Sequence, residues 1–311
     1  MTNVLEQQSK SVGGAGAKSG AAVRLEGISK TYPGNTQKAV DRLSLEIADG
    51  EVHYRQAGQR DGRLPFVMLH PGPTSSHVLV PLMELLGEDR WIVAPDIMGM
   101  GDSDPPAVDD PDMAYFARAV FRFLDALQID RCDLWGSVTG ARCAVEMSLL
   151  APERINRLYI ELLQQKADAH TRKLLEEHHA PKITPDRYGS HFHLLWALAR
   201  DQFLFYPWFE PTAARRRPSG LVSPDVLHDK MMELLKAARS YHLALNVAVR
   251  YPNDAKIAQL RVPVVGSADL LTALPDVRVR QHLCASPAFA TPREVEAAAS
   301  EILTILNSRT A

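Results

Sequence analysis

The stretch Cys132-Asp133-Leu134-Trp135-Gly136-Ser137-Val138-Thr139-Gly140-Ala141-Arg142-Cys143-Ala144 sets the strongest limit on what this chain can fold into. An apolar run too short for a helix meets a turn bounded by Gly136 and Gly140, and small residues at helical spacing follow. That is a strand, a sharp turn and a helix, with glycines where a tight backbone leaves no room for a Cβ. The midpoint between the glycines is Val138, which has nothing to ionise or to attack with. The nearest hydroxyls, Ser137 and Thr139, stand one position to either side.

The same alternation runs through the residues around this turn. His53-Tyr54-Arg55, Phe66-Val67-Met68-Leu69, Trp91-Ile92-Val93-Ala94 and Leu158 to Leu162 read as strands. Apolar residues at helical spacing, among them Phe116, Val120, Phe123, Leu124 and Leu127, mark a helix over Met113 to Ile129. Strands alternating with helices imply a mostly parallel sheet with helices on both faces, an α/β fold. Between about 165 and 257 the alternation stops. Helical segments over Lys173 to His178, His191 to Phe205 and Asp225 to Tyr251, punctuated by Pro181, Pro185, Pro207, Pro211 and Pro218 among others, read as a helical cap inserted over one edge of the sheet. Its aromatics Trp196, Phe203, Phe205, Tyr206, Trp208 and Phe209 fit either an apolar pocket or the packing of cap on core. A strand around Val262-Pro263-Val264-Val265, another at Val277-Arg278-Val279 and a helix over Pro292 to Leu306 would complete the core.

The 311 residues, 46% hydrophobic and 23% charged, suffice for one large core with an insertion. A formal charge of −2 argues against a nucleic-acid surface or an anionic membrane surface, and a small-molecule partner fits better. Cys132, Cys143 and Cys284 have no spacing that suits a disulfide framework or a zinc site, so no metal or other cofactor and a cytoplasmic setting are expected. No apolar run is long enough to span a membrane.

The first 51 residues differ in character. Residues 1–22 have the composition of a disordered tail, and Lys18-Ser19 lacks the glycines of a phosphate loop. Residues 23–51, with Ser29-Lys30-Thr31-Tyr32 and Leu43-Ser44-Leu45-Glu46-Ile47, resemble the opening of an ATP-binding-cassette ATPase. None of that family's nucleotide-hydrolysing motifs follows. The segment reads as a two-stranded appendage fused to another body at about residue 52.

Residues 52–311 resemble the α/β-hydrolase superfamily, and within it the capped small-molecule hydrolases. Three segments carry the likeness: Leu69-His70-Pro71-Gly72-Pro73-Thr74, Pro95-Asp96-Ile97-Met98-Gly99-Met100-Gly101-Asp102-Ser103, and Gly136 to Gly140, the nucleophile elbow. The resemblance implies a core over 52–164 and 258–311 with a cap over 165–257. It also implies an oxyanion site from backbone N–H groups of Gly72 or Thr74 together with Thr139, shaped by His70 and floored by Val138. Asp269 falls at the family's acid position and His282 nearest its histidine, leaving Ser137 as the displaced candidate nucleophile.

Hydrolysis of a small apolar ester, lactone or related carbonyl compound with an atypical elbow is the first expectation. The alternative is a non-catalytic or non-hydrolytic relative that binds a small carbonyl or carboxylate ligand. Chemistry through His70 or a cap histidine such as His191, His193 or His242 is a third.

Overall fold

A computed structural model of the chain describes residues 41–161, 169–218, 220–266 and 292–308. Their sheet is seven-stranded. The strands are β1 (Asp41–Ile47), β2 (Gly50–Ala57), β3 (Phe66–Leu69), β4 (Ile92–Pro95), β5 (Cys132–Ser137), β6 (Ile155–Glu161) and β7 (Val264–Gly266). Antiparallel pairing joins β1 to β2 and β2 to β4. The β4-β3-β5-β6-β7 run is parallel.

The parallel strands Phe66–Leu69 and Ile92–Pro95 are buried along their whole length, as the unbroken apolar runs require of strands covered on both faces. One face is covered by α1 (Val80–Leu86) and α9 (Pro292–Asn307), whose Leu82, Leu86, Val295 and Ile302 pack on Phe66, Met68 and Trp135. Arg157 ties the far end of α9 to β6, its Nη2 donating to Ser308 O at 2.7 Å. The other face is covered by α2 (Met113–Ala126) and α3 (Thr139–Leu150). In α2 the Asp112 side chain caps the start, accepting from the Tyr115 N–H at 2.6 Å. Its buried Phe116, Phe123 and Leu124 are each worth about 1.5–3 kcal/mol of burial.

The hairpin β1-β2 is part of this sheet. Leu45 and Ile47 alternate inward from β1 and are buried, and β2 continues through the change of character read at residue 52. Residues 1–40 lie outside the described residues, and with them most of the cassette-like stretch.

Between β6 and β7 the described residues are helical: α4 (Ala169–His178), α5 (Ser190–Leu204), α6 (Pro224–Lys236), α7 (Tyr241–Arg250) and α8 (Asn253–Ile257). The single helix expected over Asp225 to Tyr251 is two. The break spans Ala237 to Ser240, and the Ser240 hydroxyl donates there to Gly99 O at 2.8 Å, in the loop after β4. A strand around Val277 and the residues Asp269, His282 and Cys284 lie outside the described residues.

Candidate functional site

Val138 adopts φ 52°, ψ −106°, at the junction of β5 and α3. A positive φ is a genuine outlier for a β-branched residue, so the surrounding structure imposes it. The two glycines show how. A Cβ on Gly136 would lie 2.4 Å from Gly140 O, and one on Gly140 would lie 2.1 Å from Leu69 O. The turn thus has the elbow geometry, with valine at its apex.

The apex opens onto a cavity of about 450 Å³ at the carboxyl edge of the parallel strands, where open α/β sheets place their ligands. Val138, Thr139 and Arg142 line it from the elbow, and Gly72 from the loop after β3. Arg172, Glu176 and His179 line it from α4 and its end, Leu245, Ala248 and Arg250 from α7, and Tyr251, Asn253 and Asp254 from the residues beyond. The aromatics proposed for an apolar pocket do not line this cavity; Phe203 and Trp208 are buried in packing and Trp196 is exposed. An apolar pocket is therefore corrected to a polar, charged one.

A Cβ on Gly72 would stand 2.8 Å from Thr139 Oγ1, so the loop after β3 and the first turn of α3 meet at the cavity. Neither the Gly72 nor the Thr139 amide donates a turn, loop or cap hydrogen bond among the described residues. Thr139 opens α3, at the positive end of that helix.

The other sequence candidates separate. Ser137 is the last residue of β5, fully buried, and its hydroxyl has no hydrogen-bond partner among the described residues. It does not line the cavity, so the expected nucleophile is absent from the site: one step back along a strand turns the side chain to the other face. His70 is fully buried, with its Nδ1 donating to Pro71 O at 3.0 Å and its Nε2 accepting from the Ile97 N–H at 2.9 Å. Burial lowers its pKa, and both of its nitrogens are engaged by the loops after β3 and β4. Thr74 turns its hydroxyl back to Pro71 O and stays behind the cavity wall. Nor do His191, His193 and His242 line it.

Two cavity residues, Arg142 and His179, were not among the candidates read from the sequence. Arg142 stands one helical turn after Val138, with its Nη1 donating to Val138 O at 2.8 Å and burial bringing its pKa down to about 10. A large charged residue among Thr139, Gly140, Ala141, Cys143 and Ala144, the small residues that open this helix, was the available signal for Arg142. His179 is held by burial, and by the charges of Arg142 and Arg217, at a pKa of about 4.

His53, Asp96 and Asp102 bring possible metal-ligating atoms within 4.8 Å of one another. Those atoms are already engaged. His53 Nδ1 lies 2.9 Å from Asp96 Oδ2, and Asp102 Oδ2 pairs with Arg42 and Lys236.

The family model of the alpha/beta hydrolase fold matches residues 65–169. The 2-hydroxymuconate semialdehyde hydrolase of Pseudomonas sp. (strain CF600) is 32% identical over 99 residues, covering 31% of this chain and 35% of that protein. The 2-hydroxy-6-oxononadienedioate/2-hydroxy-6-oxononatrienedioate hydrolase of Paraburkholderia xenovorans (strain LB400) is 34% identical over 124 residues, covering 38% and 42%. The chain spans less than half the length of these curated relatives. Among solved structures, the enol-lactonase from Burkholderia xenovorans LB400 superposes with a TM-score of 0.63 at 16% identity, over 85% of this chain and 100% of that one. Cfl2 from Burkholderia cenocepacia gives 0.63 at 19%, over 92% and 100%. The fold is the α/β-hydrolase fold. No helix among the described residues is long and apolar enough to cross a membrane.

Proposed function

We propose that this chain is a hydrolase of a small carbonyl compound, an ester, a lactone or a related oxo compound, and that it works without an acyl-enzyme intermediate. The observation that carries the reading is that Gly72 and Thr139 line the cavity together beside Val138, close enough for a Cβ on Gly72 to stand 2.8 Å from Thr139 Oγ1. The two backbone donors hold the carbonyl oxygen and stabilise the negative charge that develops on it, and they depend on no side chain. Valine at the apex offers no nucleophile, so water adds to the carbonyl carbon directly. With His282 as base and Asp269 as its acid partner, the proton taken from that water returns to the leaving oxygen of an ester or lactone, or, in an oxo compound, to the carbon of the carbon–carbon bond that breaks. The two relatives named above are hydrolases whose names describe oxo or semialdehyde compounds, which supports a carbonyl substrate.

A second reading, ligand binding without turnover, is favoured by the burial of Ser137. Both are tested by assaying activated esters and lactones with the purified protein, alongside an active-serine phosphonate label and Ser137→Ala. Turnover without labelling, unchanged in Ser137→Ala, is the expected result. Binding without turnover gives the second reading. Labelling and turnover that vanish together in Ser137→Ala would restore serine chemistry and sink both.

A further inference from the structure

A second cavity, of about 380 Å³, adjoins the elbow cavity between the start of α2 and the corner of α7 and α8. Pro111, Met113, Ala114 and Val247 give it an apolar wall that is buried or half-buried, while Asp110 and Asp112 stand exposed to water. Arg250, Tyr251 and Pro252, the end of α7 and its link to α8, line both cavities. Arg142 lines the elbow cavity but not the second, and Glu146 the second but not the first, although the two are one turn apart on α3. The Tyr251 phenol falls between them. Its hydroxyl donates to Glu146 Oε2 at 2.7 Å, and it lies within reach of the Arg142 charge. One aromatic side chain thus occupies the space between the two cavities along this turn of α3.

That side chain is held where it stands. Tyr251 is buried, and Lys256 Nζ pairs with the same Glu146 carboxylate at 2.9 Å while standing 5.8 Å from the ring centroid. Burial, and then the bond to Glu146, push the phenol above its usual pKa, so it keeps the proton that it donates.

We propose that Tyr251 is a specificity-determining residue, a partition that ends the elbow cavity and limits the length of the alkyl chain on a ligand held at the elbow. With the ring in place, a chain longer than the cavity has no room that does not overpack it. With the ring removed the two cavities join, and the chain passes Arg142 to rest on Met113, Ala114 and Val247, where burial of its methylenes is favourable. The inference rests on the carbonyl-binding reading of the elbow and deepens it to short-chain compounds.

Hydrolysis of p-nitrophenyl butyrate and p-nitrophenyl decanoate by the full chain tests this, with equilibrium dialysis of the same esters reading affinity if no p-nitrophenolate is released. The readout is the ratio of the decanoate value to the butyrate value, of kcat/KM or of affinity. Wild type is expected to favour butyrate, and Tyr251→Ala to raise the ratio at least about tenfold, as burial of several methylenes implies. Adding Ala114→Phe, which fills the second cavity, should return the ratio toward wild type. Should Tyr251→Ala not fold, Tyr251→Phe decides: it leaves Glu146 paired with Lys256 but frees the ring, and the ratio should rise several-fold. A ratio unchanged in the folded variant, or a gain that survives Ala114→Phe, overturns the inference and leaves the carbonyl-binding reading standing. If wild type and variants accept neither ester, that reading falls and the inference with it.

Discussion

Gly140 and Leu69 are in backbone contact across the sheet edge: a Cβ on Gly140 would stand 2.1 Å from Leu69 O and 2.6 Å from Leu69 C. Neither atom belongs to a side chain that could swing away. Gly140→Ala must therefore push the start of α3 off β3, and a loss of at least about 2 kcal/mol is expected from this overpacking. Urea unfolding of wild type and variant measures it. A midpoint within error of wild type would show that the elbow relaxes more readily than its geometry implies.

Val138 faces the opposite problem, since its own backbone is strained. Residues held in such regions cost of the order of 1–3 kcal/mol, and glycine occupies φ 52° freely. Replacing a valine in a strand with glycine ordinarily weakens a protein. Here Val138→Gly is expected to leave stability within about 1 kcal/mol of wild type, or to raise it, because relief of strain offsets lost side-chain contact. Unfolding midpoints decide, and a fall of more than about 2 kcal/mol would mean that the side chain is needed where it stands.

Much of the core was legible because its signals are local. The strand Phe66–Leu69 and the helix beginning at Met113 follow from an apolar run and an apolar period, and the elbow from its two glycines. What escaped depends on tertiary contact. No local pattern breaks the chain at Ser240, whose partner Gly99 is far away in sequence. Likewise, nothing in the residues around His179 shows that it lines the cavity floored by Val138. The strand Asp41–Ile47 was legible as a strand, but a two-residue turn to Gly50 makes it a member of the main sheet, which a change in composition at residue 52 hid.

Asp96 knots the loops behind the site. Its carboxylate accepts from the Ser76 N–H at 2.7 Å and the Asp102 N–H at 3.0 Å, lies 2.9 Å from His53 Nδ1, and sits 3.7 Å from Arg55 Nη1. Burial alone would raise its pKa, but the hydrogen bonds from His53 and Ser76 hold it well below the usual carboxylate range. A depressed folded pKa contributes stability that is present above the unfolded value of about 4 and is lost as pH falls through the folded one. Stability should therefore decline on acidification below about pH 4, and less steeply in Asp96→Asn. Breaking the buried pair should also cost about 3–5 kcal/mol at pH 7. Denaturant midpoints from pH 3 to 7 test both, and parallel acid limbs would remove Asp96 as the cause.

Lys230 gives the mirror image on the alkaline side. From α6 its Nζ donates to Pro73 O at 2.7 Å, in the loop that also carries Gly72, and burial brings its pKa down to about 7 against the charge of Glu233. The folded chain thus releases this proton near pH 7, whereas the unfolded chain keeps it until about pH 10. Between those values the unfolded state binds more protons, so this group makes stability rise with pH. Lys230→Met removes both the proton and the donor to Pro73 O. The variant should lose the rise between pH 7 and pH 9.5 seen in wild type, and at the alkaline end wild type should gain relative to it. Equal slopes in the two proteins would show that Lys230 keeps its proton in the folded state, with water reaching the ammonium beneath α6.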